Sequence, residues 1–122
     1  MHDFRKLDVY RRALQYSVAA RKVTRAFPKH EMFVLSSQFI RAADSIVLNI
    51  AEGAGCHSPK EFARFLGISI RSAYECCSCI DIATLQSYVD SMLGKSLNDD
   101  AEEIVRMLIG LQRSLFRERV GE

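Results

Sequence analysis

The chain has 122 residues, of which 48% are hydrophobic and 26% charged, the makeup of one globular domain. Its four cysteines are too few for a disulfide scaffold, and the composition excludes a disordered or collagen-like chain. No run of about 18 apolar residues is present to span a membrane, the polar N-terminus lacks the apolar core of a signal peptide, and a net charge of +2 is too weak to name a polyanion partner by itself. We therefore expect a single cytoplasmic domain over residues 1–122 with no membrane role.

Four segments have helical periodicity, separated by breaks at Pro28, at Gly53 to Pro59 and at Asn98-Asp99-Asp100. The spacing predicts a first helix over about residues 7–27. Val9, Ala13, Tyr16, Ala20, Val23 and Phe27 recur at intervals of four and three, which makes a heptad seam. Leu7, Tyr10, Leu14 and Val18 form a second apolar face, so this helix is expected to be buried on two sides. Pro28 stops it near Phe27, because a residue before proline avoids the α region.

The second helix is predicted over about residues 31–52, with Met32, Leu35, Phe39, Ala42, Ile46 and Ile50 as its apolar stripe. Gly53 suits the position just past its end, where positive φ costs nothing. A polar stripe runs along the same helix: Gln38, Arg41, Ser45, Asn49 and Glu52. From the residues alone it reads as a solvent face or as a hydrogen-bonding seam between helices or between subunits.

The third helix opens on a strong signal. Ser58 can cap it, Pro59 suits its first position, and Glu61 would close a capping box. Its seam is Phe62, Leu66, Ser69, Ala73, Cys76, Ile80 and Ala83. It is expected to reach residues 88–93, to end at Gly94 and to be the longest. The fourth helix is predicted over about residues 99–118, capped by Asn98. Its acids Asp99, Asp100, Glu102 and Glu103 would sit at the positive end of the dipole, and Arg113, Arg117 and Arg119 at the negative end. Ala101, Ile104, Leu108, Leu111 and Leu115 make its seam, and Gly110 would be offset by close packing. Four helices with short loops form an all-α antiparallel up-and-down bundle.

The charge is uneven. Residues 1–27 carry seven bases (Arg5, Lys6, Arg11, Arg12, Arg21, Lys22, Arg25) against Asp3 and Asp8, and the rest of the chain is slightly acidic. The surplus reads either as a solvated helix face or as a polyanion-facing surface. Catalytic patterns are missing. His2, His30 and His57 stand apart, and Gly53-Ala54-Gly55 follows a helix rather than the strand a dinucleotide loop needs. A metal site would have to join Cys76 and Cys79 to Cys56 or His57, without a second Cys-x2-Cys pair. Small buried thiols in a reducing compartment explain the cysteines better. We expect no enzyme activity, no cofactor and no metal.

Phe27-Pro28, Glu31, Gln38, Arg41-Ala42-Ala43-Asp44-Ser45-Ile46 and Asn49-Ile50-Ala51-Glu52-Gly53, followed by residues 58–66 and 72–75, resemble the core signature of the bacterial 23S ribosomal RNA intervening-sequence proteins. The resemblance covers nearly the whole chain. It implies an antiparallel four-helix bundle assembling into a ring, typically a homopentamer, with no established enzymatic activity. It also implies kinship with the accessory proteins of diversity-generating retroelements, which are basic pentamers that bind nucleic acid and a reverse transcriptase. Arg71-Ser72 departs from the usual Gly-Ser before the third helix's Glu75, which puts an identical helix contact in question, and the Cys76-Cys77-Ser78-Cys79 cluster is outside the pattern. The expected function is a non-enzymatic homo-oligomer that binds RNA or DNA through Arg5, Arg11, Arg12, Lys22 and Arg25. The alternative is an oligomeric scaffold for a protein partner.

Overall fold

Heptad-spaced apolar residues wind into four helices in the computed structural model, which describes residues 3–121 and side chains as far as residue 117. A 3-10 turn at Phe4–Lys6 leads into α1 (Asp8–Thr24), and a second at Lys29–Glu31 precedes α2 (Leu35–Ala54); α3 (Pro59–Leu85) and α4 (Ser91–Gly121) follow. Short connections make sequential helices antiparallel neighbours. Helix α2 packs on α3, α3 on α4 and α1 on α2, and a sparser α1–α4 contact closes the bundle. No helix is long and apolar enough to cross a membrane among the described residues.

The predicted seams meet in the middle. Phe39, Ile46 and Ile50 of α2 are fully buried against Phe62, Leu66 and Ile80 of α3 and Ile104, Leu108 and Leu115 of α4. Each such side chain contributes roughly 1.5–3 kcal/mol by leaving water. From α1, Val9, Ala13, Tyr16 and Ala20 complete the core, with the Tyr16 ring edge-on to Phe39 at 6.1 Å. The second apolar face of α1 behaves differently. Leu7 and Tyr10 are half-buried, but Leu14 and Val18 remain exposed in the single chain.

Helix ends follow local chemistry. The Ser58 Oγ accepts from the Glu61 N–H at 3.1 Å with Pro59 behind it, as expected. The Glu61 carboxylate, however, accepts from Arg64 Nε at 3.0 Å instead of closing the capping box. The α3–α4 boundary departs most from expectation. Ser87, at φ 63°, takes the left-handed conformation and ends α3, with the Tyr88 N–H donating to the Ala83 carbonyl at 2.8 Å. Asp90 then caps α4 by accepting from the Leu93 N–H at 2.8 Å. Helix α4 therefore begins eight residues before the Asp99 start predicted, and at 31 residues it is longer than α3 at 27. Asn98 lies inside it, where its Nδ2 donates to Asp81 across the α3–α4 contact at 2.9 Å.

Three glycines serve other ends than predicted. Gly94 is inside α4, where a Cβ would come within 2.5 Å of Thr84 Oγ1; it permits contact with α3 and does not stop a helix. Gly53 lies in the last turn of α2 without positive φ, and a Cβ there would sit 2.8 Å from both Phe62 Cδ1 and Phe65 Cβ. Gly110 has nothing within 4 Å of where its Cβ would be, so no packing offsets its low helix propensity.

Candidate nucleic-acid interface

Along α1 and its C-terminal cap residue Arg25, the core seam leaves an outer ridge at the same four-three spacing: Arg11, Gln15, Val18, Lys22 and Arg25, all exposed. The ridge runs about 21 Å at 1.5 Å rise per residue. Its cations are not equivalent. Arg11 is committed locally: its guanidinium donates to the carbonyls of Arg5 at 3.3 Å and Lys6 at 3.1 Å, and pairs with Asp8 at 3.3 Å. It thereby ties the N-terminal 3-10 turn to α1. Arg5 lies over the Phe4 ring, 4.6 Å from its centroid. Arg12 stands to one side, lining a hollow of about 310 Å³ on the α1–α4 seam with Asp100. Lys22 and Arg25 are adjacent, one turn apart, on the ridge itself. Among the described residues, Arg12, Lys22 and Arg25 have no ion pair or side-chain hydrogen bond.

Arg25 also borders a larger hollow of about 550 Å³ where α1 turns into α2. Phe27, Pro28, Met32 and Ile40 form its apolar walls, and Lys29 and Arg41 share its rim. Phe33 stands over it, 88% exposed. This corrects the expected apolar stripe of α2. Met32 is exposed too, because the chain between the 3-10 turn and Leu35 is a non-helical turn that points residues 32–34 outward. Phe33 was not legible as a site residue from spacing, although its place off the Met32–Leu35–Phe39 stripe was the available signal.

The polar stripe of α2 separates into two parts. The Asn49 amide donates to the Ser45 carbonyl at 2.8 Å and to Ser45 Oγ at 3.0 Å, and Ser45 Oγ accepts from Ser72 Oγ of α3 at 2.8 Å. Deeper in the same contact, Ser69 Oγ donates to the Ile46 carbonyl at 3.0 Å. Gln38, Arg41 and Glu52 are exposed, and their side chains make no hydrogen bond or ion pair among the described residues. Arg41 and Glu52 are eleven residues apart, about 16 Å along a helix, so they do not pair with each other within one copy of the chain.

A stronger network lies between α1 and α2, on a residue given no role by the sequence reading. Asp44 receives both guanidinium nitrogens of Arg21 at 2.8 Å and the Ser17 hydroxyl at 2.6 Å. The Arg21 hydrogen bonds hold the Asp44 carboxyl below its ordinary range, against a partial desolvation that raises it. Beside this network, Leu14, Val18, Val47 and Leu48 line an open hollow of about 330 Å³, with Val18 54% and Leu48 58% exposed.

Residues 5–110 match the protein family described as 23S rRNA-intervening sequence protein. The chain belongs to this family. A crystal structure of a protein of unknown function from the S23 ribosomal protein family of Bacteroides thetaiotaomicron superposes with a TM-score of 0.79, at 26% identity over 85% of this chain and 97% of that one. Among curated proteins none matches the chain.

Part of the run that resembles the family signature lies at the α2–α3 contact. Ser45, Asn49 and Gly53 let the two helices approach and bond, and Ser72 answers from α3. The Arg71 departure does not disturb that contact, because Arg71 is exposed and Ser72 faces α2.

The cysteines are free thiols. Burial pushes the Cys76 thiol up and the Cys79 thiol up to about 11, so both stay protonated and unreactive near neutrality. No group of three His, Cys, Asp or Glu side chains able to hold a metal occurs among the described residues. His2 lies outside the described residues, as does the side chain of Arg119.

Proposed function

We propose that this chain is a non-enzymatic module that self-associates and binds nucleic acid through the outer ridge of α1. The observation that carries the reading is Lys22 and Arg25, adjacent, exposed and unpaired on the helix that holds the chain's positive surplus. Arg12 adds a third unpaired cation on the flank. Such charges attract phosphates by displacing condensed counterions, and need no base-specific contact. Of the sequence candidates, Arg11 and Arg5 are the weaker, since one is bonded and the other stacked.

Self-association is supported by the apolar strip of Leu14, Val18 and Leu48, exposed beside the Arg21–Asp44 ion pair. A ring of copies, five by family resemblance, would repeat the ridge and make phosphate binding multivalent. The second reading, a scaffold for a protein partner, draws on the exposed run Met32, Phe33 and Val34.

Fluorescence anisotropy with labelled structured RNA, single-stranded DNA and duplex DNA tests the proposal. The wild type should bind at low salt, and Arg12→Ala with Lys22→Ala and Arg25→Ala should weaken binding by at least roughly ten-fold. Binding that is unchanged in this variant would remove α1 from consideration.

A further inference from the structure

We propose that the hollow between the end of α1 and the start of α2 takes the unpaired bases of a single nucleic-acid strand, with Phe33 as the stacking platform. The inference rests on the nucleic-acid reading of α1 and specifies its substrate. Three cations, Arg25, Lys29 and Arg41, edge the hollow, and no carboxylate lines it. None of the three has an ion pair or side-chain hydrogen bond among the described residues. Its walls are apolar, and its volume of about 550 Å³ falls within the size of pockets that hold nucleotide-sized ligands. Proteins that hold single strands combine these same elements: cations along the backbone and an aromatic face for each base.

The surroundings give the strand a direction. Arg25 belongs both to the α1 ridge and to the hollow, so a backbone following Lys22 and Arg25 passes into it without a gap in charge. Phe33 and Arg41 divide this hollow from a second one of about 320 Å³, which Gln38 and Glu75 also line. Phosphates belong at the three-cation rim of the first hollow, and the bases against Phe33 and its apolar walls. A base edge reaching past Phe33 enters the second hollow, where the Gln38 amide can donate and accept and the Glu75 carboxylate can accept from a ring N–H such as that of uracil. Along its length a duplex keeps its bases stacked inside and offers no face to Phe33. An acidic peptide would satisfy the cations and the apolar walls, but it leaves the continuity with the ridge unexplained.

The chain has no tryptophan, so Phe33→Trp places a single reporter at the stacking position. Because Phe33 is exposed, neither Phe33→Trp nor Phe33→Ala touches the core. Titrating Phe33→Trp with a ten-nucleotide oligouridine at low salt should quench its emission saturably, and a blunt duplex should not. Phe33→Ala should weaken oligouridine binding about 5- to 150-fold, as loss of one stacked base does, and change duplex binding less than about two-fold. If oligouridine binds wild type and Phe33→Ala equally, or binds Phe33→Trp without quenching, stacking is wrong while the ridge reading stands. If wild type binds neither strand nor duplex, the ridge reading fails and takes this inference with it. Quenching by a Glu- and Phe-rich peptide but not by oligouridine would overturn the inference in favour of a protein partner.

Discussion

Asp44 shows how one side chain can outweigh a stripe of polar residues. It gathers Arg21 and Ser17 at 2.6–2.8 Å and so fixes α1 against α2. The Arg21 side chain is 48% exposed and that of Asp44 33%, so solvent screening limits the pair to about 0.5–1 kcal/mol. Because the folded carboxyl lies below its ordinary value of 3.8, its contribution is complete above that value and is lost as pH falls through the lowered one. Asp44→Asn should therefore destabilise by about 0.5–1 kcal/mol near pH 7, and the gap to wild type should close in strong acid. Chemical denaturation at a series of pH values checks this. Asp44 is visible within the run that resembles the family signature, but its pairing is not. Its partner is 23 residues away on another helix, and no helical spacing reveals that.

Helix cores were legible at the scale of elements, and helix ends were less so. The seams of α1, α3 and α4 could be read because four-three spacing dictates which residues are buried. The end of α3 was hidden because Ser87, and no glycine, occupies its left-handed position. Asp90 was then outcompeted as a cap by the more conspicuous Asn98-Asp99-Asp100. Glycine gave misleading punctuation for a steric reason: Gly53 and Gly94 make room for a neighbouring helix inside regular α-structure. The contrast between two glycines is testable by thermal denaturation. Gly53→Ala should destabilise by about 1–3 kcal/mol, because the new methyl meets Phe62 and Phe65. Gly110→Ala should stabilise by up to about 1 kcal/mol, since nothing lies near its Cβ position.

For the whole molecule, the bundle and its family are settled by the sequence match and the superposition, and four-helix architecture follows from periodicity alone. The candidate interface was half legible. Counting charges located the basic helix, but only the folded structure distinguishes Arg11, spent on the N-terminal turn, from the unpaired Lys22 and Arg25. Phe33 was invisible because the Met32 stripe absorbed its neighbourhood. The same surface explains why a modest net charge of +2 is compatible with polyanion binding. What counts is the local, unpaired charge that copies of the chain would repeat.

The most direct measurement is the affinity of the wild-type protein, at an oligomer mass fixed by sedimentation, for a labelled single strand across a salt series. Phosphate contacts by Arg12, Lys22 and Arg25 predict that log affinity falls linearly with log salt at a slope of about −0.7 per neutralised phosphate. The slope should be near −2 for one subunit and steeper for an assembly. A flat salt dependence, or no binding near 50 mM salt, would contradict the account and leave the α1 ridge as solvated surface.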